Sequence, residues 1–422
     1  MADIGAGGTV NGSRTCPSCG RGLVGESGYV AWCEACRWNV APDNGAQSAI
    51  PTRLGRFVQD TQQSMDRSQE HALQAGLDLS PRGWRGWLAL LLAIPVHATG
   101  LAFAACGLAL LVTQPLSVYL VVVSVILVGV SAALYTVATK STRARALGAE
   151  ESEELRAIVD EVRHELGAPR IRRLRIDREF NASVWRGWLG NELTFGWPLW
   201  CATTDVERLG IIGHEVAHLV NGDVLRRRPL GLALRMLTNW HDEGQRMRIR
   251  RPRTRGLQIV RVFVGWVLAH ATAWYRALIL KLMLSQSQRA EYRADLLAAR
   301  AVGTSAVVAG LTALPRDSVV MRVMRTAQEK GTDPWKAITD RVASLPPTEL
   351  RRLALKARAE TAPTPGGDTH PPLGRRIAVL EAHEVHGQMR IDPGRWRRAE
   401  RQMSNAVRDV AVVRRAKRRR FG

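Results

Sequence analysis

The stretch GIIGHEVAHLVNGD, residues 210–223, decides how the rest of the sequence is interpreted. Apolar residues recur within it at helical spacing, so it is predicted to form a helix with one buried face. Residues four apart lie on one face of a helix, and His214 and His218 can therefore reach the same metal ion. Glu215 lies beside them, where a carboxylate can hold a water molecule and accept its proton. This spacing predicts a catalytic zinc site with Glu215 as the general base.

A catalytic zinc ion needs a third protein ligand, and a second helical stretch downstream offers one. In SQSQRAEYRADLLAAR, residues 285–300, Glu291 and Asp295 lie four residues apart on one helix face. Taken alone, this pair would be interpreted as part of a solvated charged face. Together with the two histidines, it predicts Glu291 as the third zinc ligand. Asp295, one turn further, is predicted to hydrogen-bond a ligand imidazole and fix its tautomer.

Near the N-terminus, CPSCGRGLVGESGYVAWCEAC, residues 16–36, contains two CxxC pairs. Each pair can hold two thiolates on a tight turn, so that four thiolates converge on one zinc ion. The alternative is two disulfides or unpaired thiols, which a cytosolic location disfavours. Six cysteines in 422 residues also exclude a small disulfide-stapled secreted scaffold. The sequence therefore predicts a structural zinc site with Cys16, Cys19, Cys33 and Cys36 as ligands.

Two apolar runs, residues 87–112 and 116–138, lie between the cysteine segment and the histidine helix. Each exceeds the roughly 20 residues that a helix needs to cross a bilayer. Their short connection predicts a transmembrane hairpin, and the alternative is a pair of buried helices in a soluble domain. Cations flank the hairpin and its loop has none, so the positive-inside rule places both ends in the cytoplasm. The flanking cations are Arg82, Arg85, Lys140, Arg143 and Arg145.

A third apolar segment, Leu257–Leu284, follows the histidine helix. Arg261 and Arg276 leave 14 uninterrupted residues between them, which is short for a membrane span. We expect a buried or membrane-skimming helix here, with a further span as the alternative. No cleaved signal peptide is visible at the N-terminus.

The chain is strongly basic, with 60 Lys and Arg against 38 Asp and Glu and a net charge of +22. In a protein attached to the cytoplasmic leaflet, anionic lipid headgroups are the simplest partner, at about 1 kcal/mol per close cation. Nucleic acid is a competing partner, but no feature of the sequence indicates base recognition, and we disfavour it. A solvated, partly disordered tail is a further alternative. The cations cluster at residues 226–228, 246–255, 395–401 and 414–420.

Four motifs occur in the order found in one family of membrane enzymes: Asn181-Ala182, HEVAHLVNGD at 214–223, EYRAD at 291–295 and THPPLGRRI at 369–377. Over roughly residues 85–385 the chain resembles the zinc peptidases of the HtpX, OMA and CAAX-prenyl-protease type, peptidase family M48. The resemblance implies a gluzincin fold. It also implies the roles already assigned to His214, His218, Glu291, Glu215 and Asp295.

The resemblance adds roles for further residues. It implies that His370 stabilises the oxyanion of the tetrahedral intermediate. Asn181 and Ala182 correspond to an edge strand that receives the substrate backbone by strand addition. Arg376 matches the arginine that follows THPP, with a structural or a substrate-orienting role. The Trp-rich sequence from residue 181 to 200 departs from the family pattern, which leaves the substrate preference open.

The expected architecture is α+β and mostly helical. It combines a zincin-like (gluzincin) metallopeptidase domain, a two-helix transmembrane hairpin before it and a small N-terminal zinc ribbon. The expected boundaries are a ribbon over 1–45, a polar linker over 46–84, the hairpin over 85–140, the peptidase domain over 141–388 and a basic tail over 389–422.

The resulting hypothesis is an integral membrane zinc endopeptidase that holds one catalytic and one structural Zn²⁺. We expect it to cleave proteins or peptides in membrane or protein quality control. Its N-terminus, peptidase domain and C-terminus are expected on the cytoplasmic side of the plasma membrane. The alternative is an inactive peptidase-fold protein that acts in regulation, or that binds nucleic acid or lipid through the ribbon and tail. The oligomeric state is left open.

Three other histidine positions resemble zinc ligands less closely. In His383-Glu384-Val385-His386 the histidines are three residues apart and lack a downstream acidic partner, so we expect a helix end at the surface. His241 and His270 are isolated, and isolated histidines are usually solvated or hydrogen-bonded within a core.

Overall fold

The computed structural model describes residues 15–42, 84–113, 117–139, 144–187, 190–221, 223–249, 255–361, 370–387 and 389–418. Helices dominate these residues, and their paired strands form one four-stranded sheet. The expected fold class is confirmed: a mostly helical α+β chain with apolar helices and an N-terminal cysteine cluster. The predicted linker over 46–84 lies almost wholly outside the described residues.

We number the described elements in chain order. The helices are α1 Trp84–Thr113, α2 Val118–Thr139, α3 Ala149–Glu165, α4 Trp197–Cys201, α5 Asp205–Asn221, α6 Asp223–Ile249, α7 Arg255–Val302, α8 Thr304–Ala313, α9 Asp317–Lys330, α10 Pro334–Ala343, α11 Pro347–Ala359, α12 Leu373–Ala382 and α13 Pro393–Arg418. The strands are β1 Arg145–Ala146, β2 Ile171–Asp177, β3 Ala182–Gly187 and β4 Gly190–Gly196.

Helices α1 and α2 pack against each other as an apolar pair. Ser131 donates a hydrogen bond to the carbonyl oxygen of Gly100 at 2.8 Å. Gly107 lies so close to α2 that a Cβ there would come within 2.9 Å of the carbonyl oxygen of Ser124. Small residues of this kind allow close packing and are common between membrane helices. Within α1, a 28-residue stretch is long and apolar enough to cross a membrane, and a shorter apolar stretch lies in α2.

The third apolar segment forms the N-terminal part of α7, which is 48 residues long and packs along α6 and α1. In α7, the stretch Gln258–Val302 is also long and apolar enough to cross a membrane. Many of its apolar side chains are exposed rather than covered by the protein, and Ile259, Phe263 and Trp274 are more than 60% exposed. This exposed apolar face fits the membrane-skimming helix or the further span of the sequence prediction better than a wholly buried helix.

The sheet has the strand order β1–β2–β4–β3 and places β3 at one edge. Strands β2 and β4 are parallel, while β1–β2 and β3–β4 are antiparallel. In the β3–β4 ladder, Ala182 pairs with Phe195 and Val184 pairs with Leu193. Among the described residues no strand pairs with the other edge of β3, so that edge can accept a further extended chain.

Helix α5 lies at the centre of the main hydrophobic core and packs against α7, α8 and β3. Its contact with α8 depends on a residue without a side chain. A Cβ on Gly210 would lie 2.0 Å from the carbonyl oxygen of Ala306. The backbones of the two helices therefore touch, and this contact fixes the position of the helix that carries the two histidines.

We expect Gly210→Ala to lower the free energy of unfolding by about 1–3 kcal/mol, because α5 and α8 would have to separate. In an open helical position the same change would stabilise the protein by up to about 1 kcal/mol. Gly231 in α6 is such a position, since a Cβ there meets no atom within 4 Å. Thermal unfolding of Gly210→Ala and of Gly231→Ala in detergent measures the difference in stability. Equal melting temperatures would contradict the close contact.

The first part of the predicted basic tail is packed against the folded domain. Helix α13 lies on α3, and its Trp396 and Met403 belong to the main hydrophobic core. Arg395 and Arg398 bind the carboxylate of Glu154 at 2.6 and 2.9 Å. These two cations of the 395–401 cluster therefore have an intramolecular partner. In the other basic clusters, the side chains of residues 226–228 and 414–420 and of residues 250–255 within the 246–255 cluster lie outside the described residues.

Candidate metal centre

The N-terminus of α5 is held by a reciprocal cap. The backbone N–H of Thr204 donates to the Glu207 carboxylate at 2.8 Å, and the N–H of Glu207 donates to the Thr204 hydroxyl at 3.4 Å. This is the arrangement of a capping box, which satisfies two otherwise unpaired N–H groups. Arg316 binds the same carboxylate through two hydrogen bonds of 2.6 and 2.8 Å. The start of the histidine helix is thus fixed to a second part of the fold.

One turn of α5 and the C-terminal part of α7 bring three potential metal ligands together. The Nε2 atoms of His214 and His218 are 3.2 Å apart. The carboxylate oxygens of Glu291 lie 3.3 Å from the Nε2 of His214 and 3.5 Å from the Nε2 of His218. One ligand atom from each residue lies within 4.8 Å of the other two. Two imidazoles and one carboxylate are a common ligand set of catalytic zinc, so the donor chemistry fits that metal.

Behind this cluster, a buried ion pair holds the outer side of His214. Asp295 accepts from the Nδ1 of His214 at 2.8 Å. Arg376 donates to both oxygens of Asp295 at 2.7 and 2.8 Å, and its Nη2 lies 3.2 Å from the Nδ1 of His214. Asp295 and Arg376 are 1% and 4% exposed. Arg376 is therefore enclosed within the protein, where it can orient the carboxylate that orients the imidazole.

The same neighbours set the protonation of His214. Burial and the positive charge of Arg376 lower the pKa of His214, but the charge and hydrogen bond of Asp295 outweigh them and raise it to about 9. A metal ion that binds this imidazole must displace its proton. Metal binding at His214 is therefore expected to weaken as the pH falls.

Glu215 lies between the ligand cluster and the sheet edge. Its carboxylate accepts a hydrogen bond of 3.0 Å from the backbone N–H of Val184 in β3. The sequence did not indicate this contact, because it joins residues 31 positions apart through tertiary packing. It places the carboxylate next to the strand edge that lacks a described partner strand.

A cleft of about 950 Å³ lies over these groups. Asn181, which precedes β3, and the first three residues of β3 form part of its lining, together with His370. The backbone of Asn181 is tied to the sheet through the N–H of Gly196 at 2.7 Å. The side chain of His370 is 53% exposed, and its Nδ1 lies 2.9 Å from the Glu291 carboxylate. All catalytic and substrate-binding candidates from the sequence, including Ala182 and Arg376, border this one cleft.

The four N-terminal cysteines form a second cluster. The Sγ atoms of Cys16 and Cys36 are 3.5 Å apart, as are those of Cys19 and Cys33, and the four sulfurs lie within 4.8 Å of one another. None of them is in a disulfide. The backbone N–H of Trp38 lowers the pKa of Cys36, whereas the neighbouring thiols raise the pKa of Cys19. Cys36 is therefore the first of the two to become the thiolate that binds metal. Four converging thiols without a disulfide fit a structural zinc ion.

His241, His270, His383 and His386, which the sequence also offered, join neither cluster. The Nδ1 atoms of His241 and His270 contact the carbonyl oxygens of Ala269 and Trp266, both within the α6–α7 region. His383 follows α12 and contacts the carbonyl oxygen of Val379, and His386 lies on the exposed segment after it. The second histidine motif is therefore a helix end at the surface, as the spacing indicated.

The family model for peptidase family M48 matches residues 149–384, which is more than half of the chain. The chain belongs to peptidase family M48. Neither a curated protein nor a solved structure matches it.

M48 membership makes the chain a metallopeptidase of a zinc-dependent family, and the matched region contains the His214, His218 and Glu291 cluster. The four-cysteine cluster lies outside the matched residues. This M48 chain therefore carries an N-terminal module in addition to its family domain.

Proposed function

We propose that this M48 protein is an integral membrane zinc endopeptidase with a cytosol-facing active site. One observation carries the proposal: a cluster of two histidines and one glutamate opens into a cleft that also contains Glu215 and the edge of β3 that has no partner strand among the described residues. A metal site, a base and a backbone-binding edge are the three parts that metal-dependent hydrolysis of a peptide bond uses.

In this proposal His214, His218 and Glu291 would hold a zinc ion, which would act as a Lewis acid and lower the pKa of water towards about 7. The edge of β3 binds the substrate as an added strand and fixes its backbone direction. Glu215 takes the proton of the attacking water and returns it to the leaving amine. Because Glu215 contacts Val184, the base stays at a fixed position relative to the bound backbone.

His370 is proposed to donate a hydrogen bond to the oxygen that becomes negative as the carbonyl is attacked. Its side chain is more exposed than those of His214, His218 and Arg376, the other groups around Glu291, and so can reach a substrate in the cleft. Asp295 and Arg376 contact no cleft substrate in this proposal. They hold the ring of His214 in the orientation and tautomer in which its Nε2 can bind metal.

The membrane setting rests on the apolar helices. Exposed apolar side chains cover α1, α2 and the first half of α7, and this surface fits a lipid environment. The cytosolic orientation rests on the positive-inside rule for the cations that flank the hairpin. Anionic lipids remain the proposed partner of the basic clusters, and membrane or protein quality control is the proposed setting.

Metal removal tests the proposal on the full chain purified in detergent. We expect about two zinc ions per chain, one for each cluster, and cleavage of casein. Treatment with 1,10-phenanthroline should lower cleavage by roughly 100-fold or more, and added Zn²⁺ should restore it. A serine-protease inhibitor is the control for contaminating activity and should have no effect. Cleavage that persists after the zinc has been removed would contradict the proposal.

A further inference from the structure

The N-terminal cysteine module, residues 15–42, is docked on the M48 domain rather than separate from it. The guanidinium carbon of Arg341 lies over the ring of Tyr29, 5.0 Å from the centre of the ring. The hydroxyl of Tyr29 accepts a hydrogen bond of 2.9 Å from Arg341. Thr348 donates to Glu26 at 3.2 Å, and Arg351 pairs with Glu34. These contacts attach the module to α10 and α11 through both charge and an aromatic ring.

The end of the module is anchored by a buried cation. The Nη1 of Arg352 donates to the carbonyl oxygen of Val40 at 2.7 Å. Arg352 is only 6% exposed and is held by two hydrogen bonds of 2.7 Å to Glu349. A buried arginine whose donors are matched by a carboxylate and a backbone carbonyl belongs to a packed contact between the module and α11.

The residue after this anchor, Ala41, lines the same cleft as His214, Glu215 and His370. It is exposed to the cleft and lies five positions after the last cysteine ligand candidate, Cys36. The intervening chain is tied to the cysteine turns. Among these ties, the N–H of Cys33 donates to the carbonyl oxygen of Trp38 at 2.9 Å, and the Asn39 amide donates to the carbonyl oxygen of Ala31 at 2.7 Å.

We propose that the four-cysteine module is part of the substrate-binding cleft: its closed metal site positions Ala41 as a section of the cleft wall that contacts an extended polypeptide. Residues 37 and 39 both have positive φ angles, 60° and 61°, so the path from Cys36 to Ala41 is a sharply turned one. Without a metal, the four thiolates no longer hold the turns together. The wall residue then loses its fixed position. The inference rests on the proposed peptidase function and identifies a specificity element for it.

A bulky residue at the wall tests the position directly. We expect Ala41→Trp to raise KM for casein by about tenfold with kcat within twofold. The indole would narrow the cleft and weaken binding of the substrate and of the transition state alike. Both zinc ions should remain bound. Ala35→Trp is the matched control, because Ala35 is also an exposed alanine of the module but does not line the cleft. Equal KM values for the two variants would overturn the proposal.

Loss of the module's metal tests the coupling. We expect Cys33→Ser to lose one of two zinc ions, to raise KM for casein, and to speed amide exchange in α11, where Arg352 and Glu349 lie. Cys106→Ser, at an exposed cysteine of α1, should change none of these. Unchanged KM and unchanged exchange in α11 after zinc loss would overturn the proposal.

The exchange measurement separates this inference from the proposed function. If the wild type cleaves nothing, the peptidase proposal fails, and faster exchange in α11 of Cys33→Ser still supports the link between the metal site and the cleft wall. If Cys33→Ser does not fold, the Ala41→Trp and Ala35→Trp pair decides, because neither variant removes a metal ligand.

Discussion

Glu215→Gln is expected to lower kcat for casein cleavage by about 100- to 10,000-fold while the chain keeps both zinc ions, because the amide cannot take up a proton at neutral pH. The substitution keeps the size of the side chain. It also keeps an oxygen that can accept the hydrogen bond from the N–H of Val184. The three metal ligands are untouched, so loss of activity without loss of metal isolates the proton transfer.

Glu384→Gln is the matched control for this variant. Glu384 also follows a histidine in a short His-Glu-Val-His sequence, but it is exposed and lies outside the cleft. Its substitution should leave kcat within twofold of the wild type. The measurement is initial-rate cleavage with zinc content determined on the same samples. If Glu215→Gln retained more than about a tenth of the wild-type kcat, Glu215 would not be the general base.

The candidate metal ligands could be picked out from the sequence because their signal is local, and the structure brings them together. His214 and His218 lie one helical turn apart, and so do Glu291 and Asp295, so each pair is set by helix geometry alone. The prediction that the two helices lie next to each other required a chemical argument, namely that zinc needs a third ligand. Helix α7 carries the third ligand at its buried end, and the Glu291 carboxylate has no exposed surface.

Contacts between distant segments were not predictable from one sequence. The docking of Tyr29 on Arg341 joins residues 312 positions apart, and no periodicity or composition encodes such a pairing. The packing of α13 on α3 is a similar case, since its arginines suggested a solvated tail while its Trp396 is in fact buried. Apolar residues spaced between the arginines of α13 carried the only signal for this packing.

The length of α7 shows a different limit. Arg261 and Arg276 argued for a short apolar segment, because a charge inside a membrane span is costly. In the structure the helix continues through both positions and packs along α6 and α1. Long cationic side chains can reach past an apolar surface to a polar one, so cations within a hydrophobic run do not limit the length of its apolar face.

Arg376→Met is expected to lower the free energy of unfolding by about 3–5 kcal/mol, because it leaves the buried carboxylate of Asp295 without its cation. Burial alone would lower the pKa of Arg376, but the charge and hydrogen bonds of Asp295 raise it, so the guanidinium stays charged. Chemical unfolding in detergent measures the loss. Arg300→Met, at an exposed position of α7, is the control and should stay within about 0.5 kcal/mol of the wild type.

The same variant should weaken zinc binding by roughly 10- to 100-fold, as loss of a residue that orients a ligand generally does. Arg376 acts on the metal ligand in two ways. It holds Asp295, which accepts from His214, and its own charge lowers the pKa of His214. Without that charge His214 binds its proton more strongly, and the proton then competes better with the metal for the imidazole. Zinc affinity measured against a chelator should therefore fall most steeply at lower pH.

Adding Asp295→Leu to Arg376→Met separates the two effects. The double variant no longer buries an unpaired carboxylate, so its stability should recover to well above that of Arg376→Met alone. Its zinc affinity should stay low, because His214 has then lost the hydrogen bond that fixes its tautomer. If stability and zinc affinity recovered together, the metal itself would stabilise the fold, and Arg376 would act only through zinc occupancy. Recovered stability with zinc affinity still low would show that the ion pair has two independent roles. It stabilises the fold, and it orients His214 for the metal.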